Sequence, residues 1–181
     1  MMQVTVTAIR AIARDVLCIE LQAADAKPLP GAAPGAHIDL HLPNGMIRQY
    51  SLTNAQGQAS QNSYQIAVAR DAASRGGSDW IHDKLRTGAA LTISEPRNLF
   101  PLNTAQAQKT LFIGAGIGIT PIYAMVLAAQ QAGMDWTLMA CARSASRLAF
   151  QEELAALDAT RVQFHFDQAA GRALNLQALL Q

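Results

Sequence analysis

Two spacings of apolar residues divide the chain. In the first half, apolar and polar positions alternate in short runs, as in strands that bury one face, and glycine and proline clusters separate the runs. Six strands are predicted, at residues 3–9, 16–22, 37–42, 47–53, 63–70 and 90–94. Six short antiparallel strands with such turns favour a small closed β-barrel.

One helix is predicted within this barrel. Residues 80–85 carry apolar side chains at helical spacing, Ser78 is placed to cap the helix, and Gly88 is placed to end it. The barrel is expected to close near Leu102, and a polar linker follows at residues 103–108.

From residue 109 the pattern changes to alternating strands and helices. Strands are predicted at residues 109–114, 136–142 and 162–166, and helices at residues 120–132, 146–157 and 174–180. This βαβαβα order is typical of a parallel sheet with crossover helices. We therefore expect a mixed fold, with a six-stranded antiparallel β-barrel at residues 1–102 and a partial α/β parallel-sheet domain at residues 109–181.

Composition and charge exclude several classes of protein. Of the 181 residues, 50% are hydrophobic and 15% are charged, and the formal net charge is +1. Such a chain can bury a core, which excludes intrinsic disorder, and its balanced charge gives no reason to expect nucleic acid as a partner. Cys18 and Cys141 cannot assemble an iron–sulfur cluster from this chain alone, and the histidines lack metal-ligand spacing, so no metal site is predicted.

The sequence also argues against export and against a membrane span. Arg10 and Arg14 interrupt the stretch that a signal peptide would need, so a cytoplasmic location is expected. The uncharged segment between Lys109 and Asp135 is long enough to cross a bilayer, but its glycines and Pro121 divide it into a strand, a turn and a helix.

Three glycines are candidates for phosphate binding. Gly114, Gly116 and Gly118 lie between a predicted strand and a predicted helix, where backbone N–H groups can approach a phosphate. The spacing is not the GxGxxG fingerprint of the usual dinucleotide fold, and close packing of strand against helix is the alternative role.

Two segments of the barrel carry the residue types of a flavin site. Arg48, Tyr50 and Ser51 offer a cation, a flat ring and a small donor on one predicted strand. Residues 75–78 (RGGS) precede the barrel helix, where amides, a hydroxyl and a guanidinium can converge on a phosphate. Taken separately, these segments could equally be an exposed strand and a flexible loop with a helix cap.

The motifs RQYSLTN, RGGS leading to WIHDKL, EPRNLFPL and GAGIGITPI resemble, in order and spacing, flavin-dependent reductases of the ferredoxin reductase superfamily. The resemblance is nearest to the phthalate dioxygenase reductase and vanillate demethylase reductase group, and it runs from about residue 3 to the end of the chain. It implies a flavin-binding barrel followed by an NAD(P)H-binding domain. In that family a further ferredoxin domain carries a [2Fe–2S] cluster and passes electrons to an oxygenase.

The resemblance also implies roles for individual residues. Contacts with the phosphate and ring of FMN, rather than FAD, are implied for Arg48, Tyr50, Ser51, Ala67, Val68, Ala69, Arg75, Gly76, Gly77 and Ser78. Contacts with the pyridine nucleotide are implied for Gly114, Gly116, Gly118 and Thr120, and Arg143 is a further candidate from its own segment. Tyr50, Ser51 and Thr120 are the candidate catalytic residues, because they would lie against the flavin ring or beside the nicotinamide.

The match with this family fails at two points. The family's Cys-Gly-Pro motif and its ferredoxin domain have no counterpart before Gln181, so we expect a fragment or a partner chain that supplies the missing parts. The segment at residues 142–147 (ARSASR) has no carboxylate to bond an adenosine ribose. Arg143 and Arg147 could accept the 2′-phosphate of NADPH, or could be solvated or paired with acids such as Glu152; because the family prefers NADH, we expect NADH.

The expected function is that of an oxygenase or demethylase reductase component, which passes electrons from NAD(P)H through FMN to an iron–sulfur partner. Two alternatives are a free-standing flavin reductase and a non-catalytic flavin-binding subunit or fragment.

Overall fold

Alternating burial along six strands builds the first sheet of the computed structural model, which describes residues 1–57, 59–103 and 109–179. The strands are β1 (Met2–Ala13), β2 (Val16–Ala23), β3 (His37–His41), β4 (Ile47–Ser51), β5 (Tyr64–Ala69) and β6 (Ala90–Ile93). They pair antiparallel in the order β4-β3-β6-β1-β2-β5. An isolated bridge from Leu52 to Ile66 joins the two outer strands and closes the barrel.

Strand β1 extends beyond the predicted strand at residues 3–9. It continues to Ala13, opposite Val16, and two register shifts accommodate its length against β2. The pattern underestimates this strand because its second half is only partly buried and so does not alternate clearly. The two-residue turn at Arg14 and Asp15 follows directly.

The barrel helix α1 (Gly77–Lys84) differs at both ends from the prediction. Its N-cap is Gly76, at a left-handed φ of 97°, so Ser78 lies in the first turn and does not cap the helix. Leu85 is already extended, and Gly88 belongs to the turn that follows. The capping prediction was wrong because only glycine adopts φ near 97° without strain, and a glycine therefore leads the chain into this helix.

A second sheet contains three parallel strands in the order β7-β8-β9. Its strands are β7 (Thr110–Ala115), β8 (Trp136–Ala142) and β9 (Val162–Phe166). Helices follow these strands: α2 (Ile119–Gln131), α3 (Gln151–Ala155), α4 (Asp167–Ala170) and α5 (Leu176–Leu179). The mixed fold class predicted from the two spacings of apolar residues is confirmed.

The helix predicted at residues 146–157 is broken. Ala145–Arg147 form a single 3-10 turn, and α3 begins only after Phe150, which has a positive φ of 61°. The Phe150 ring is buried and stacks on Tyr123 of α2 at 4.2 Å. The apolar periodicity of this segment therefore reflects residues that cover the second sheet, not one continuous helix.

The C-terminal segment and the linker are described only in part. The helix predicted at residues 174–180 corresponds to the short helix α5, and residue 180 lies outside the described residues. A further short helix that was not predicted, α4, follows β9 directly. The predicted linker at residues 103–108 also lies outside them, apart from Asn103. Leu102, where the barrel was expected to close, packs against the second hydrophobic core.

The two sheets meet through apolar side chains. Val16 and Ala67 of the barrel belong to the hydrophobic core of the second sheet, and Ala69 packs against it. At the edge of this contact, the Arg14 N–H donates to the Ser146 carbonyl at 2.6 Å. None of the helices among the described residues is long and apolar enough to cross a membrane.

We expect Ile38→Ala and Ile47→Ala to change the stability of the barrel by different amounts. Ile38 is fully buried, whereas Ile47 is 51% exposed on the neighbouring strand. The buried substitution should lower the free energy of unfolding by about 2–5 kcal/mol because it leaves a cavity. The exposed one should change it by less than about 1 kcal/mol, and urea unfolding measures both. Equal losses would contradict the assigned burial.

Candidate functional site

A cleft of about 720 Å³ lies between the barrel and the second sheet. The barrel lines it with Arg14, Asp15, Val16, Gln49, Tyr50, Ser51, Ala67, Ala69, Arg70, Asp71 and Ala72. The second sheet and its loops line it with Gly116, Ile117, Gly118, Thr120, Pro121, Ala142, Arg143 and Arg147. Four residues predicted for the flavin and four predicted for the nucleotide therefore share one cavity: Tyr50, Ser51, Ala67 and Ala69, and Gly116, Gly118, Thr120 and Arg143.

Tyr50 and Ser51 lie at the end of β4 and form one wall of the cleft. Burial raises the pKa of Tyr50 to about 12, although the charge of Arg48 opposes this shift. The phenol is therefore neutral at physiological pH and offers a flat ring for stacking. Ala67 and Ala69 of β5 line the same cavity, whereas Val68 is buried in the barrel core.

Arg48 lies outside the cleft lining, against the start of α1. A Cβ atom at Gly77 would meet the Arg48 Nε at 2.5 Å, so only glycine allows the guanidinium to lie this close to the helix. Arg48 also donates to the Ile47 carbonyl at 2.8 Å. The first N–H groups of a helix have no partner inside it, and α1 has no side-chain cap. A guanidinium beside such N–H groups suits a phosphate.

The remaining residues of the RGGS segment support the same turn. Gly76 adopts the left-handed conformation that starts α1, and its N–H donates to the Ser74 Oγ at 3.0 Å. The Ser78 hydroxyl accepts from the Asp71 N–H at 3.2 Å and lies 3.1 Å from the Ser74 Oγ. Arg75 is exposed. This segment is thus a tightly bonded loop at one end of a helix.

The three glycines of the second sheet have different surroundings. Gly116, at a φ of 53°, and Gly118 line the cleft, and added Cβ atoms would meet open space. Gly114 is absent from the cleft lining, and its Cβ would meet the Ile119 Cα at 3.1 Å and Cδ1 at 2.6 Å. Gly114 thus has the packing role that the sequence left as the alternative.

Thr120 is buried at the start of α2, beside these glycines. Its hydroxyl donates to the Ile117 carbonyl at 3.0 Å, so it is fixed at the floor of the cleft. Ile117 itself is 41% exposed and offers an apolar surface at the cleft mouth. The loop can thus present backbone groups to a ligand while Thr120 holds its shape.

Several cleft residues were missed by the sequence analysis. Gln49 donates to the Asp39 carboxylate at 3.0 Å, and Arg70 makes ion pairs with Asp79 and Asp83. Asp15 lies 3.1 Å from the Arg147 guanidinium, so Arg147 pairs with this residue; Glu152 was only one of the possible partners that the sequence left open. Gln49 lies inside the motif RQYSLTN but was given no role there, and Arg70 and Asp15 lie outside the motifs. The partner of Asp15 is distant in sequence, so no local pattern marks this contact.

Residues 112–172 match the family of oxidoreductase NAD-binding domains. The chain is 57% identical over 173 residues to a putative toluene-4-sulfonate monooxygenase system reductase subunit of Comamonas testosteroni, covering 96% of this chain and 54% of that protein. It is 47% identical to a vanillate O-demethylase oxidoreductase of a Pseudomonas species, covering 99% of this chain and 56% of that protein.

Among solved structures, phthalate dioxygenase reductase superposes with a TM-score of 0.89 at 33% identity, over 98% of this chain and 55% of that one. The chain belongs to the ferredoxin reductase-like group. It spans about half the length of the relatives that it matches. The family resemblance inferred from the sequence motifs is therefore confirmed.

Gly114→Ala and Gly118→Ala are expected to differ in stability although the chemical change is the same. A methyl group at position 114 forces Ile119 and the start of α2 away from β7, which should lower the free energy of unfolding by about 1–3 kcal/mol. At position 118 the methyl group enters open space, so the change should stay within about 1 kcal/mol. Denaturant unfolding of both variants tests this, and a larger loss at position 118 would contradict the packing role of Gly114.

Proposed function

We propose that the chain forms the flavin- and nucleotide-binding part of an oxygenase or demethylase reductase. In this role it takes electrons from NADH, passes them through FMN, and delivers them to an iron–sulfur partner. The single cleft that joins Tyr50 and Ser51 of the barrel to Gly116 and Thr120 of the second sheet carries this proposal, because direct transfer needs both ligands in one cavity.

The surroundings of Arg48 support FMN as the flavin. Its guanidinium lies against Gly77 at the uncapped start of α1, where one terminal phosphate suits the space. Tyr50, Ser51 and the backbone of Ala67 and Ala69 would face the ring and exclude water from it. A bound flavin accepts two electrons from a nicotinamide and releases them one at a time.

Nucleotide binding is supported by the loop after β7 and by the family match over residues 112–172. Gly116 and Gly118 leave room for a ligand to approach the backbone, and Thr120 holds the loop. Arg143 is exposed at the cleft and makes no ion pair within the described ranges. We assign the first domain to residues 1–102 and the nucleotide domain to residues 109–181, and we assign NADH as the donor.

An iron–sulfur partner outside residues 1–181 would complete the electron path. Phthalate dioxygenase reductase is described as transferring electrons from pyridine nucleotides to a [2Fe–2S] cluster, and the two relatives are reductase components of a monooxygenase and a demethylase. Cys18 and Cys141 are both buried, and burial raises the pKa of each thiol. Two such cysteines do not supply the four thiolates of a plant-type cluster.

Arg48→Ala is expected to weaken FMN binding at least about tenfold, because it removes a charge-assisted bond to the phosphate. Ser78→Ala should weaken FMN binding less, by about threefold, because it removes only the uncharged hydrogen bonds of the Ser78 hydroxyl with Asp71 and Ser74. Fluorescence titration of the flavin-free protein measures both affinities. Arg172→Ala, an exposed arginine on the second sheet's side, is the matched control. Unchanged affinity in both barrel variants would disprove the phosphate site.

Anaerobic titration of the FMN-loaded protein with NADH tests the whole proposal. We expect flavin absorbance to bleach at near-stoichiometric NADH, because the cleft holds the two ligands together. Flavin that dithionite reduces but neither NADH nor NADPH reduces would contradict a reductase and favour a flavin-binding subunit. Rapid exchange and turnover of added FMN would instead favour a free-standing flavin reductase.

A further inference from the structure

The turn between β1 and β2 brings a carboxylate from the barrel into the nucleotide side of the cleft. At this turn the Arg14 N–H donates to the Ser146 carbonyl at 2.6 Å, and the Asp15 Oδ2 lies 3.1 Å from the Arg147 Nη2. Both members of this ion pair line the cleft. The barrel and the loop after β8 therefore share a charged contact inside the candidate site.

Arg147 lies where a nucleotide-binding sheet would contact the adenosine ribose. It belongs to the loop after the second parallel strand, where nucleotide-binding sheets read the adenosine ribose and its 2′ substituent. That loop contains Arg143, Ser144, Ser146 and Arg147 but no carboxylate of its own. The carboxylate that would disfavour a 2′-phosphate is absent from the local sequence but present in the structure, supplied by the barrel.

We propose that Asp15 is a specificity-determining residue that selects against the 2′-phosphate of NADPH, through its ion pair with Arg147. This inference rests on the proposed function. Asp15 occupies the guanidinium that would otherwise accept the phosphate, so the pair presents no net positive charge to a phosphate dianion. Discrimination of this kind comes from an unfavourable contact with the wrong ligand as well as from contacts with the right one.

The energetics favour selectivity over stability as the role of the pair. The side chains of Arg147 and Asp15 are 38% and 43% exposed, and ion pairs this open to solvent stabilise a fold by only about 0–1 kcal/mol. A second cation in the loop, Arg143, lacks an ion pair in the part of the chain that the structure describes. Of the two loop cations, Arg143 is thus available for a nucleotide and Arg147 is neutralised. The same Asp15 Oδ2 also lies 3.9 Å from the Arg14 Nε, on the barrel side of the cleft.

The backbone of Asp15 makes a conservative test possible. Its φ of 61° is left-handed, and its carbonyl accepts from the Arg70 N–H at 2.7 Å. Asparagine tolerates this conformation well, so Asp15→Asn should remove the charge and keep the turn. Retained flavin content and an unchanged circular dichroism spectrum would verify that the variant is folded.

The experiment compares binding of adenosine 2′,5′-bisphosphate and adenosine 5′-monophosphate, which differ only in the 2′-phosphate, by calorimetry on the purified protein. In Asp15→Asn, the preference for the monophosphate should fall by at least about tenfold. The same shift is expected in the ratio of flavin reduction rates with NADH and NADPH. A merely structural role would weaken both ligands together and leave the ratio unchanged.

Two further variants control the result. Asp25→Asn makes the same change beyond the other end of β2, roughly 25 Å along the strand, and should leave the ratio within about twofold because distant charges are screened. In Asp15→Asn/Arg147→Gln, the gain for the bisphosphate should disappear. An unchanged ratio in Asp15→Asn, or a gain that persists in the double variant, would overturn the inference while 5′-monophosphate binding upholds the proposed function. If the unsubstituted protein binds neither nucleotide and neither NADH nor NADPH reduces its flavin, both proposals fail.

Discussion

The close approach of the barrel to the parallel sheet is the constraint on which the site depends. Val16 and Ala67 enter the second core, and Ile12, Ala13 and Ala69 of the barrel pack against it, so the two sheets share one apolar contact. The C-terminal ends of strands β4 and β7 then face one cavity, so a flavin ring against Tyr50 and a nucleotide over Gly116 would be neighbours. Larger residues at these barrel positions would separate the sheets and open the cavity to water.

Glycine has two distinct physical uses in this protein, and the local sequence does not distinguish them. Gly77 and Gly114 both exclude a side chain where another group lies close. At Gly77 that group is the Arg48 guanidinium, which leaves a cation beside free helix N–H groups; at Gly114 it is Ile119, which fixes strand against helix. We propose the first arrangement as a phosphate site, whereas the second only supports the loop that carries Gly116 and Gly118.

The sequence predicts those features that depend on neighbouring residues. Period-two alternation identified all six barrel strands, and the strand at residues 136–142 agrees with β8 at both ends. The helical periodicity of residues 146–157 was misleading, because a contact distant in sequence overrides local preference there. Phe150 stacks on Tyr123 and has a positive φ, and the predicted helix is broken at this residue. The motifs RQYSLTN and GAGIGITPI contain Tyr50 and Thr120, which both line the cleft. No motif contains Asp15, because its partner Arg147 is more than a hundred residues away in sequence.

The charges of the cleft show how the barrel shapes the nucleotide side. Arg70 is held by two carboxylates of α1, and the hydrogen bonds that it donates to Asp83 and then to Asp79 raise its pKa. Arg147 is held by Asp15. In both cases an acid from the barrel neutralises a cleft cation, so the field that a dinucleotide phosphate meets depends on the barrel as much as on the sheet that binds it. If Asp15 sets the nucleotide preference as proposed, that preference depends on the contact between the two sheets, because moving them apart would free the Arg147 guanidinium.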